Sequence, residues 1–526
     1  VKQFSKNLHK FKVRWLKMFN RVATIYIASS DIIMKIAEKK GKEVMVLEEL
    51  FYPINLGHDT FSRSAVAFEK IEKLNQAIDN FKKIAEEYRV EKIKVFATAA
   101  LREALNKDYI IYQIKNNNNL DVEIFDNVEE HQMIYQGIRN TNKNLGGDNL
   151  FAYIGTGSLG VAVANQNHIV KSQSITLGSL KINEILRGLQ HKTDEFHIVV
   201  DGYLSGYIYN LDLFIKKVNI NKFYASGKEV DLIAKLSGIT RKSNNFNISR
   251  ASFYRLYNDV SSKTPKQLLE KYDLDEIEAE TLLPSMTIYK NLMNLTQSDQ
   301  IIGSTVTIET EVIRNMLFDG RSRELEKQSF KNIIASSRSV AEKYNYNQEH
   351  AEIIEKIALD IFDTLKDRFK LSEKERVLLQ SAAVLHDIGK YLNLKKHYEH
   401  SYYLIKNSDI ADLNSYDKNL IAHIALNHSQ SSTTNLKIRD NSFDNYSERV
   451  LIAKLTAILK IADSLDKSHK EPFSEVEINL EKNELKLIIN TEKDIFLEKW
   501  AFSDKSRIFK EVFGIDVLLN KKNILL

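Results

Sequence analysis

The pattern of apolar and polar positions predicts alternating strands and helices over roughly the first 225 residues. Residues 22–36 and 151–164 each consist of an apolar run, a turn of small residues and a second apolar run, which is typical of strand, turn and strand. Residues 63–90 repeat apolar side chains at helical spacing. The two similar units lie about one domain apart, so they predict two related α/β lobes that face each other across a cleft.

Shorter elements are predicted between these units. Residues 44–53, 93–97 and 122–125 indicate strands. Residues 56–61 contain Gly, His and Asp and favour a loop, whereas Thr98 stands where it would cap a following helix. A further helix is expected from Glu129.

The second half of the chain has a different pattern. Residues from about 325 to 470 are almost purely helical in periodicity. From residue 473 onward the pattern alternates as in a hairpin, with Asn483 at its turn, and a short helix and strand are expected to close the chain.

Composition narrows the class of protein. A chain of 526 residues is expected to hold several domains, and a hydrophobic content of 43% with a mean hydropathy of −0.33 indicates a soluble globular protein. The net charge of +5 is too small to favour DNA binding through bulk charge. The chain has no cysteine, which excludes disulfides and thiolate chemistry, and a cytoplasmic location is expected.

The first 21 residues form a basic extension in which seven lysines and arginines alternate with apolar residues. A helix that touches a membrane surface is one interpretation. We favour the other, in which the chain starts early and Met18 is the natural first residue. A spanning helix needs about 20 apolar residues, and no run approaches that length.

The turn of the second unit, Ile154-Gly-Thr-Gly-Ser158, is a candidate phosphate loop. Glycines allow a tight turn and a close approach of backbone N–H groups to an anion. Taken alone, an ordinary Gly-Ser hairpin is the simpler interpretation, because short glycine motifs are common.

Several motifs occur together in an order that resembles the Ppx/GppA phosphatases, a family of exopolyphosphatases and guanosine pentaphosphatases with the actin-like ATPase fold. Residues 97–106 resemble its Thr-x-x-Leu-Arg-x-Ala-x-Asn signature, and residues 128–137 resemble its Glu-Glu-Ala-x-Leu-Ile-x-x-Gly helix start. Residues 154–158, 177–180 and 225–227 resemble its second phosphate loop, the strand that follows and a third small-residue loop. The order over about 300 residues is more specific than any single motif.

The resemblance implies roles for particular residues. Glu130 would orient or deprotonate the attacking water, and Arg102 would supply a permanently charged fork for phosphate. Without the resemblance, a surface salt bridge and a first-turn helix carboxylate are the simpler interpretations. The expected phosphate-binding residues are Ser29, Ser30, Gly155, Thr156, Gly157, Ser158, Ser226 and Gly227.

The sequence departs from the family pattern where carboxylates are expected. Tyr26 and Tyr153 stand in place of the loop aspartates, Ala28 replaces a glycine, and Gly160 stands where a metal-associated glutamate is usual. Those carboxylates help to hold Mg²⁺, for which a tyrosine hydroxyl is a poor substitute. The departures imply slow hydrolysis, a different metal geometry or binding alone, and Asp31 is a candidate for partial compensation.

A second motif, in residues 382–390, resembles the HD phosphohydrolase signature. HD domains hold one divalent metal through an ordered set of histidines and aspartates, and imidazole and carboxylate ligands suit Mn, Fe, Ni, Zn or Mg. The four residues that match this set are His350, His386, Asp387 and Asp463. The alternative is a vestigial domain whose histidines are structural.

Four more histidines lie near this set. His400 and His428 are candidates for a second metal or for the substrate. His423 is five helical steps from His428, or about 140° around the helix, so we do not expect them to share a site. For His397 and His423 a structural role is favoured.

The expected fold is therefore a two-lobed actin-like ATPase (ribonuclease H-like) α/β module, followed by an all-α HD domain and a small α+β domain. The predicted boundaries are 1–21 for the extension, 22–140 and 141–322 for the lobes, 323–470 for the HD-type domain and 471–526 for the last domain.

The function expected from the resemblance is a phosphohydrolase that releases phosphate from polyphosphate or guanosine pentaphosphate, with a divalent cation, most simply Mg²⁺ or Mn²⁺. One alternative places metal-dependent chemistry in the HD domain, with the lobes as a phosphate-ligand sensor. Another is a non-catalytic regulatory binder. The family also leads us to expect a homodimer.

Overall fold

The computed structural model describes residues 21–142, 145–165, 168–190, 192–193, 195–215, 218–240, 243–318, 323–429, 437–439, 443, 445–470 and 476–522. The basic extension predicted for residues 1–21 thus lies, except for Arg21, outside the described residues. The chain divides into two compact units, Val1–Glu326 and Lys327–Leu526, called unit 1 and unit 2 below.

Unit 1 contains eleven of the described strands and the helices that cover them. Its strands are β1 (Arg21–Ile27), β2 (Asp31–Lys40), β3 (Glu43–Pro53), β4 (Lys92–Ala97), β5 (Val122–Ile124), β6 (Asp148–Ile154), β7 (Leu159–Asn165), β8 (His168–Ile175), β9 (Ile220–Ser226), β10 (Asn245–Ser249) and β11 (Gln300–Ser304). Its helices are α1 (Leu56–Arg63), α2 (Phe68–Glu87), α3 (Ala99–Arg102), α4 (Lys107–Asn118), α5 (Asn127–Thr141), α6 (Ser179–Gln190), α7 (Phe196–Ile215), α8 (Lys228–Leu236), α9 (Arg250–Ser261), α10 (Pro265–Tyr272), α11 (Glu276–Asn294) and α12 (Ile308–Leu317).

The two sheets of unit 1 repeat one topology. The first has the order β3-β2-β1-β4-β5, and the second has the order β8-β7-β6-β9-β11 with β10 added at its edge. In each, the first two pairings are antiparallel and the next two are parallel. The duplicated strand–turn–strand pattern of the sequence therefore predicted a duplicated lobe correctly.

The two central hairpins also match in detail. In the first, the Ala28 N–H donates to the Asp31 carbonyl at 2.9 Å, and in the second the Gly155 N–H donates to the Ser158 carbonyl at 2.8 Å. Tyr26 and Tyr153 are each the last residue but one of the strand that enters the turn. The hairpins thus present two equivalent tyrosines at one end of the two sheets.

The region 56–61 was predicted as a loop, and this prediction was wrong. It forms α1, which begins after Asn55 at a φ of 49° and buries Leu56. The helix packs closely because Gly57 has no side chain: a Cβ there would lie 2.7 Å from the Cβ of Ser29. Its N–H donates to the Ser29 carbonyl at 2.8 Å, so tertiary contacts outweigh a local sequence that favours a turn.

Thr98 was expected to cap the helix after β4, but its side chain makes no cap hydrogen bond. Its hydroxyl instead lies 2.9 Å from the hydroxyl of Tyr26 on the neighbouring strand. Strands β1 and β4 are parallel and end together, so the last residues of both strands meet at the same edge.

Unit 2 combines helices with a three-stranded sheet. Its helices are α13 (Arg323–Lys343), α14 (Gln348–Phe369), α15 (Glu373–Leu385), a 3₁₀ turn (Ile388–Tyr391), α16 (His397–Lys406), α17 (Ser415–Asn427), α18 (Tyr446–Ser464) and α19 (Phe496–Phe513). Its strands are β12 (Val476–Glu481), β13 (Glu484–Asn490) and β14 (Asp516–Lys522).

One hydrophobic core serves the helices and the sheet of unit 2. Phe362 and Leu385 from the helices belong to the same buried cluster as Leu487 and Val517 from the strands. The predicted hairpin around Asn483 is present as the antiparallel pair β12–β13, and β14 adds to β13 in parallel. The C-terminal part is therefore mixed helix and sheet.

The search for membrane spans covered the described residues. Within them, no helix is both long enough and apolar enough to cross a membrane.

Candidate active site

Glu130 lies on the first turn of α5 and is only 2% exposed. Helix α5 begins after Asp126 because Asp126 and Glu129 form a capping box. The side chain of Glu129 is used in this cap, whereas that of Glu130 is buried. The Oε2 of Glu130 lies 3.4 Å from the Arg102 guanidinium and 3.5 Å from the Ser158 hydroxyl. Burial raises the pKa of Glu130, although Arg102, Tyr153 and Ser158 act in the opposite direction. We call the side chains around Glu130 and the two hairpin turns the loop site.

Arg102 ends the short helix α3 and is held in a defined orientation. Its Nη1 donates to the Phe125 carbonyl at 2.8 Å, and its Nη2 donates to the side-chain oxygen of Asn127. Both partners flank the start of α5, so the guanidinium and Glu130 are positioned by the same segment of chain. The sequence therefore identified two residues that the fold brings together.

Three of the four serines expected in the phosphate loops differ in their hydroxyl partners, and the fourth, Ser158, contacts Glu130 and His131. Ser29 is 1% exposed, and its hydroxyl has no hydrogen-bond partner among the residues that the structure describes. Ser30 donates to Asp31 at 2.7 Å, and Ser226 donates to the Val306 carbonyl at 2.6 Å. Of these three hydroxyls, that of Ser29 is the one without a hydrogen-bond partner among the described residues.

Glycines bring the second loop into contact with its surroundings. A Cβ on Gly157 would lie 2.4 Å from the Cβ of Ala99, and one on Gly178 would lie 2.2 Å from the carbonyl oxygen of Gly155. Thr156 is half-buried, and its carbonyl accepts from the Lys181 N–H at 3.1 Å. These contacts require glycine, so the close packing explains the motif.

Gly227 marks the third loop. It has a φ of 127°, and a Cβ there would lie 2.7 Å from the Ile154 carbonyl oxygen. Glycine is therefore required both by the backbone conformation and by the approach to the second hairpin.

The tyrosines that replace the expected aspartates are buried beside Glu130. Tyr26 stacks on Phe96 with ring centroids 4.8 Å apart and contacts Thr98 through its hydroxyl. Burial raises the pKa of both Tyr26 and Tyr153 well above the usual value, and the charge of Glu130 acts in the same direction. Both hydroxyls therefore remain neutral, and neither supplies the anionic oxygen that a hard cation prefers.

Gly160 is explained by His131, a residue that the sequence did not single out. A Cβ on Gly160 would lie 2.4 Å from Cγ of the His131 ring. The ring is 3% exposed, with Nε2 at 3.2 Å from the Ser158 hydroxyl and Nδ1 at 3.0 Å from that of Ser174. Burial, assisted by Arg102, lowers the pKa of His131 to about 3, so the ring is neutral. The family signature has the smaller alanine at position 131. In this chain the larger His131 ring fills the space that a side chain at position 160 would need.

Unit 2 brings together the four residues of the expected H…HD…D set. The Nε2 of His350 lies 3.8 Å from Asp387 and 3.7 Å from Asp463. The Nε2 of His386 lies 3.5 Å and 3.8 Å from the same two carboxylates. The ligand atoms of His350, His386 and Asp463 all lie within 4.8 Å of one another, and those of His386, Asp387 and His428 form a second such group. The spacings exceed hydrogen-bond length.

The second nitrogen of each ring fixes its orientation. The Nδ1 of His386 donates to the Ala383 carbonyl at 2.7 Å, and that of His350 lies 2.7 Å from Asp466. Each Nε2 is buried and has no hydrogen-bond partner within the described residues. Burial lowers the pKa of His386 to about 4, whereas hydrogen bonds to carboxylates outweigh burial and raise that of His350 to about 9.

A second pair of histidines faces the other oxygen of Asp387. Its Oδ1 lies 3.2 Å from Nε2 of His397 and 3.5 Å from Nε2 of His428. His397 begins α16 and so reaches the carboxylate. Neither His397 nor half-buried His400 belongs to the three closest ligand groups identified among the described residues. We call the set that includes this pair the histidine–aspartate cluster: His350, His386, Asp387, His397, His428 and Asp463.

Four residues around the cluster were missed by the sequence. One is His469, which forms a ligand group with His350 and Asp466. Asp466 holds His350, and Lys390 forms an ion pair with Asp387. Gly389 lets α16 approach, because a Cβ there would lie 2.0 Å from the His397 carbonyl oxygen. His423 is separate: its Nδ1 donates to the Asn419 carbonyl at 2.8 Å.

Two protein-family models match this chain. The model of the Ppx/GppA phosphatase family matches residues 33–319, and that of Ppx/GppA phosphatase domain III matches residues 334–505. The chain belongs to the Ppx/GppA phosphatase family. Phosphatases of this family act on polyphosphate or guanosine pentaphosphate and generally depend on a divalent metal. The match to domain III covers most of the residues predicted as an HD-type domain and continues into the predicted last domain, so the family model assigns this region to Ppx/GppA domain III.

Individual Ppx/GppA relatives are distant in sequence. A guanosine-5'-triphosphate,3'-diphosphate pyrophosphatase of Photobacterium profundum is 20% identical over 463 residues, which cover 86% of this chain and 88% of the relative. The solved structure of an exopolyphosphatase from Cytophaga hutchinsonii has a TM-score of 0.52 and 19% identity, covering 57% of this chain and 99% of that one. A family member from Aquifex aeolicus has a TM-score of 0.50 and 18% identity, covering 58% and 100%. These structures share the two-lobed fold.

Proposed function

We propose that the protein is a phosphohydrolase that releases phosphate from a phosphoanhydride chain, either polyphosphate or guanosine pentaphosphate. The observation that carries this proposal is Glu130, a buried carboxylate 3.4 Å from the Arg102 guanidinium, beside the loop of Ser158. Hydrolysis of an anhydride needs a base to orient water and cations or N–H donors to balance charge. The residues of the loop site provide both.

In this proposal the roles follow from chemistry. Arg102 balances charge on the phosphate, and the Ser29 hydroxyl and loop N–H groups are its hydrogen-bond donors. Glu130 accepts the proton of the attacking water, a task for which a raised pKa brings a carboxyl closer to neutral pH. The loops do not fit a divalent cation, because Tyr26, Tyr153 and Gly160 offer no carboxylate, so no step here depends on one.

The test is phosphate release from polyphosphate, guanosine pentaphosphate and nucleotides, with Mg²⁺ or Mn²⁺, by the wild type and Glu130→Gln. The expected loss is about 10²- to 10⁴-fold, as for removal of a general base. Glu129→Gln is a matched control, because this neighbouring residue serves the helix cap, where glutamine also accepts a hydrogen bond. Full activity in Glu130→Gln would contradict the assignment.

A second candidate function is metal-dependent phosphomonoester or phosphodiester hydrolysis in unit 2, as in HD domains. It is favoured by the two buried Nε2 atoms of His350 and His386, which lack hydrogen-bond partners among the described residues and face Asp387 and Asp463. These four residues would hold the ion, with His397 and His428 on the other oxygen of Asp387. A bound divalent cation would activate water and stabilise phosphoryl charge.

Metal analysis tests this second candidate. We expect the wild type to bind Mn²⁺ or another transition metal, and Asp387→Asn to lose it. His397→Gln should weaken binding more than His400→Gln, because His397 faces Asp387. Equal metal content in the wild type and Asp387→Asn would contradict it. If phosphate release survives Glu130→Gln but not Asp387→Asn, the chemistry belongs to unit 2 and unit 1 is the sensor.

Three expectations from the sequence stay predictions. They are the homodimer, the cytoplasmic location and the choice between polyphosphate and guanosine pentaphosphate as substrate.

A further inference from the structure

We infer that the loop site binds its phosphate chain without a divalent cation held by the loops. This inference deepens the proposed function, on which it rests for the nature of the ligand. It starts from three positions where the family pattern has carboxylates and this chain has Tyr26, Tyr153 and Gly160. The tyrosines lie at the ends of the equivalent strands β1 and β6, and Gly160 pairs with Tyr153 from the start of β7.

The first argument is that a carboxylate at position 160 has no room. The His131 ring lies where a Cβ on Gly160 would be, at 2.4 Å, and His131 is tied to Ser158 and Ser174 on both nitrogens. The two residues are complementary in volume, so the loss of a side chain at 160 is built into the packing. A neutral, buried imidazole whose nitrogens both face serine hydroxyls is not free to bind an ion.

The second argument concerns the tyrosines. Tyr26 is engaged with Thr98 at 2.9 Å and stacked on Phe96, and Tyr153 packs its ring 5.8 Å from that of His131. Aromatic rings thus fill the ends of both central strands. A cation here would have to be held by neutral phenols, whereas Mg²⁺ and similar ions require several anionic or carbonyl oxygens.

The third argument is the small number of acids that remain. Asp31, the carboxylate of the first turn, pairs with Lys228 at 2.6 Å and accepts from Ser30. Glu130 faces Arg102, and Glu229 accepts from Ser179 at 2.9 Å. Glu309 is buried, and its Oε2 has no hydrogen-bond partner within the described part of the chain. All three groups of described acidic and histidine residues that are close enough to share an ion lie in unit 2.

Donors for an anion are nevertheless present. Arg102 is permanently charged and oriented by Phe125 and Asn127, and the buried Ser29 hydroxyl lacks a partner among the described residues. The glycine at 157 packs the second turn against Ala99, whose Cβ would lie 2.4 Å from a Cβ at 157. The site therefore has side chains that can bind phosphate, whereas the positions of the metal-binding carboxylates in the family pattern hold two tyrosines and a glycine.

The experiment is calorimetric titration of the full chain with inorganic tripolyphosphate, in EDTA and in Mg²⁺. It is done in an Asp387→Asn background, so that an ion in unit 2 does not contribute. We expect affinity in EDTA to be within about threefold of that in Mg²⁺, less than the tenfold that corresponds to 1.4 kcal/mol. Arg102→Gln should weaken binding about tenfold or more in either buffer, with Arg102→Lys as a second variant and exposed Arg63→Gln as the control.

Two results would overturn the inference: binding more than about threefold weaker in EDTA, or no binding in either buffer. In the first case, loss of the Mg²⁺ dependence in Glu309→Gln would identify Glu309 as the metal ligand. Phosphate release reports separately on the proposed function. Binding in EDTA without phosphate release would support the inference and contradict the proposed function. Mg²⁺-dependent binding with phosphate release would contradict the inference and support the proposed function.

Discussion

The loop site of unit 1 and the histidine–aspartate cluster of unit 2 depend on similar backbone devices but hold opposite chemistry. In both, glycine permits a contact that a Cβ would block, at Gly178 in one and Gly389 in the other. The loop site surrounds Glu130 with Arg102, neutral hydroxyls and a neutral imidazole. The cluster surrounds Asp387 with four histidines. The second loop therefore keeps glycines that its packing requires, whereas Tyr26, Tyr153 and Gly160 supply no carboxylate.

The largest expected effect is on turnover, and it tests whether the loop site and the histidine–aspartate cluster have separate roles. We expect Glu130→Gln to lower kcat for phosphoanhydride hydrolysis by about 10²- to 10⁴-fold, whereas Asp387→Asn should lower metal content. Both are measured on the same preparations, by phosphate release and by metal analysis. A variant that changed both readouts together would break the separation of roles.

The next effect concerns the residue that orients His350. Asp466→Asn should weaken Mn²⁺ binding about 10- to 100-fold, because carboxylates behind ligating histidines fix the ring and raise its basicity. Affinity is measured by titration with Mn²⁺. Asp363→Asn is a suitable control, since that carboxylate pairs with Arg376 instead. Equal losses in the two variants would indicate a general effect of charge.

The packing of His131 on Gly160 predicts a loss of stability. Gly160→Ala should lower the free energy of unfolding by about 1–3 kcal/mol through overpacking. In His131→Ala the space is vacant, so the double variant should be more stable than the sum of the single variants by about 0.5–3 kcal/mol. Urea denaturation measures both. Gly188→Ala is the control, because a Cβ there meets no heavy atom within 4 Å. Additive effects would refute the contact.

The smallest effect is a shift in pH dependence. Burial raises the pKa of Glu130, so its base form is lost at a higher pH than for an exposed glutamate. As pH falls, kcat/KM should decline through that raised pKa, and the residual activity of Glu130→Gln should lack this limb. An acid limb at the usual glutamate pKa would mean that Glu130 is not the base.

Sequence patterns predicted the elements better than their contacts. The duplicated hairpins were visible because their apolar runs follow strand periodicity. By contrast, α1 was missed because Gly57 looks like a turn residue until Ser29 is seen against it. Thr98 has the side chain of a helix cap, but the parallel strand beside it supplies Tyr26 as a partner.

Within the two sites, the sequence identified candidates but not their geometry. His397 and His400 differ by three positions, and the choice between them depends on where α16 begins. That start follows Lys396 at a φ of 56°, which no pattern in the sequence marks. The importance of His131 is likewise invisible until its ring is found over Gly160, because a histidine at a helix start has no distinctive signal.

The ion pair between Asp31 and Lys228 has a consequence for how an anion enters unit 1. Its 2.6 Å contact joins the residue after Ser30 to the residue after Gly227, and the lysine side chain is 60% exposed. A polyanion that arrives at these loops meets an occupied lysine and competes with an internal carboxylate for it. Binding of an anion by Lys228 would therefore break its ion pair with Asp31 and leave that carboxylate in water. The cost would be small, because an exposed ion pair stabilises the protein by at most about 1 kcal/mol.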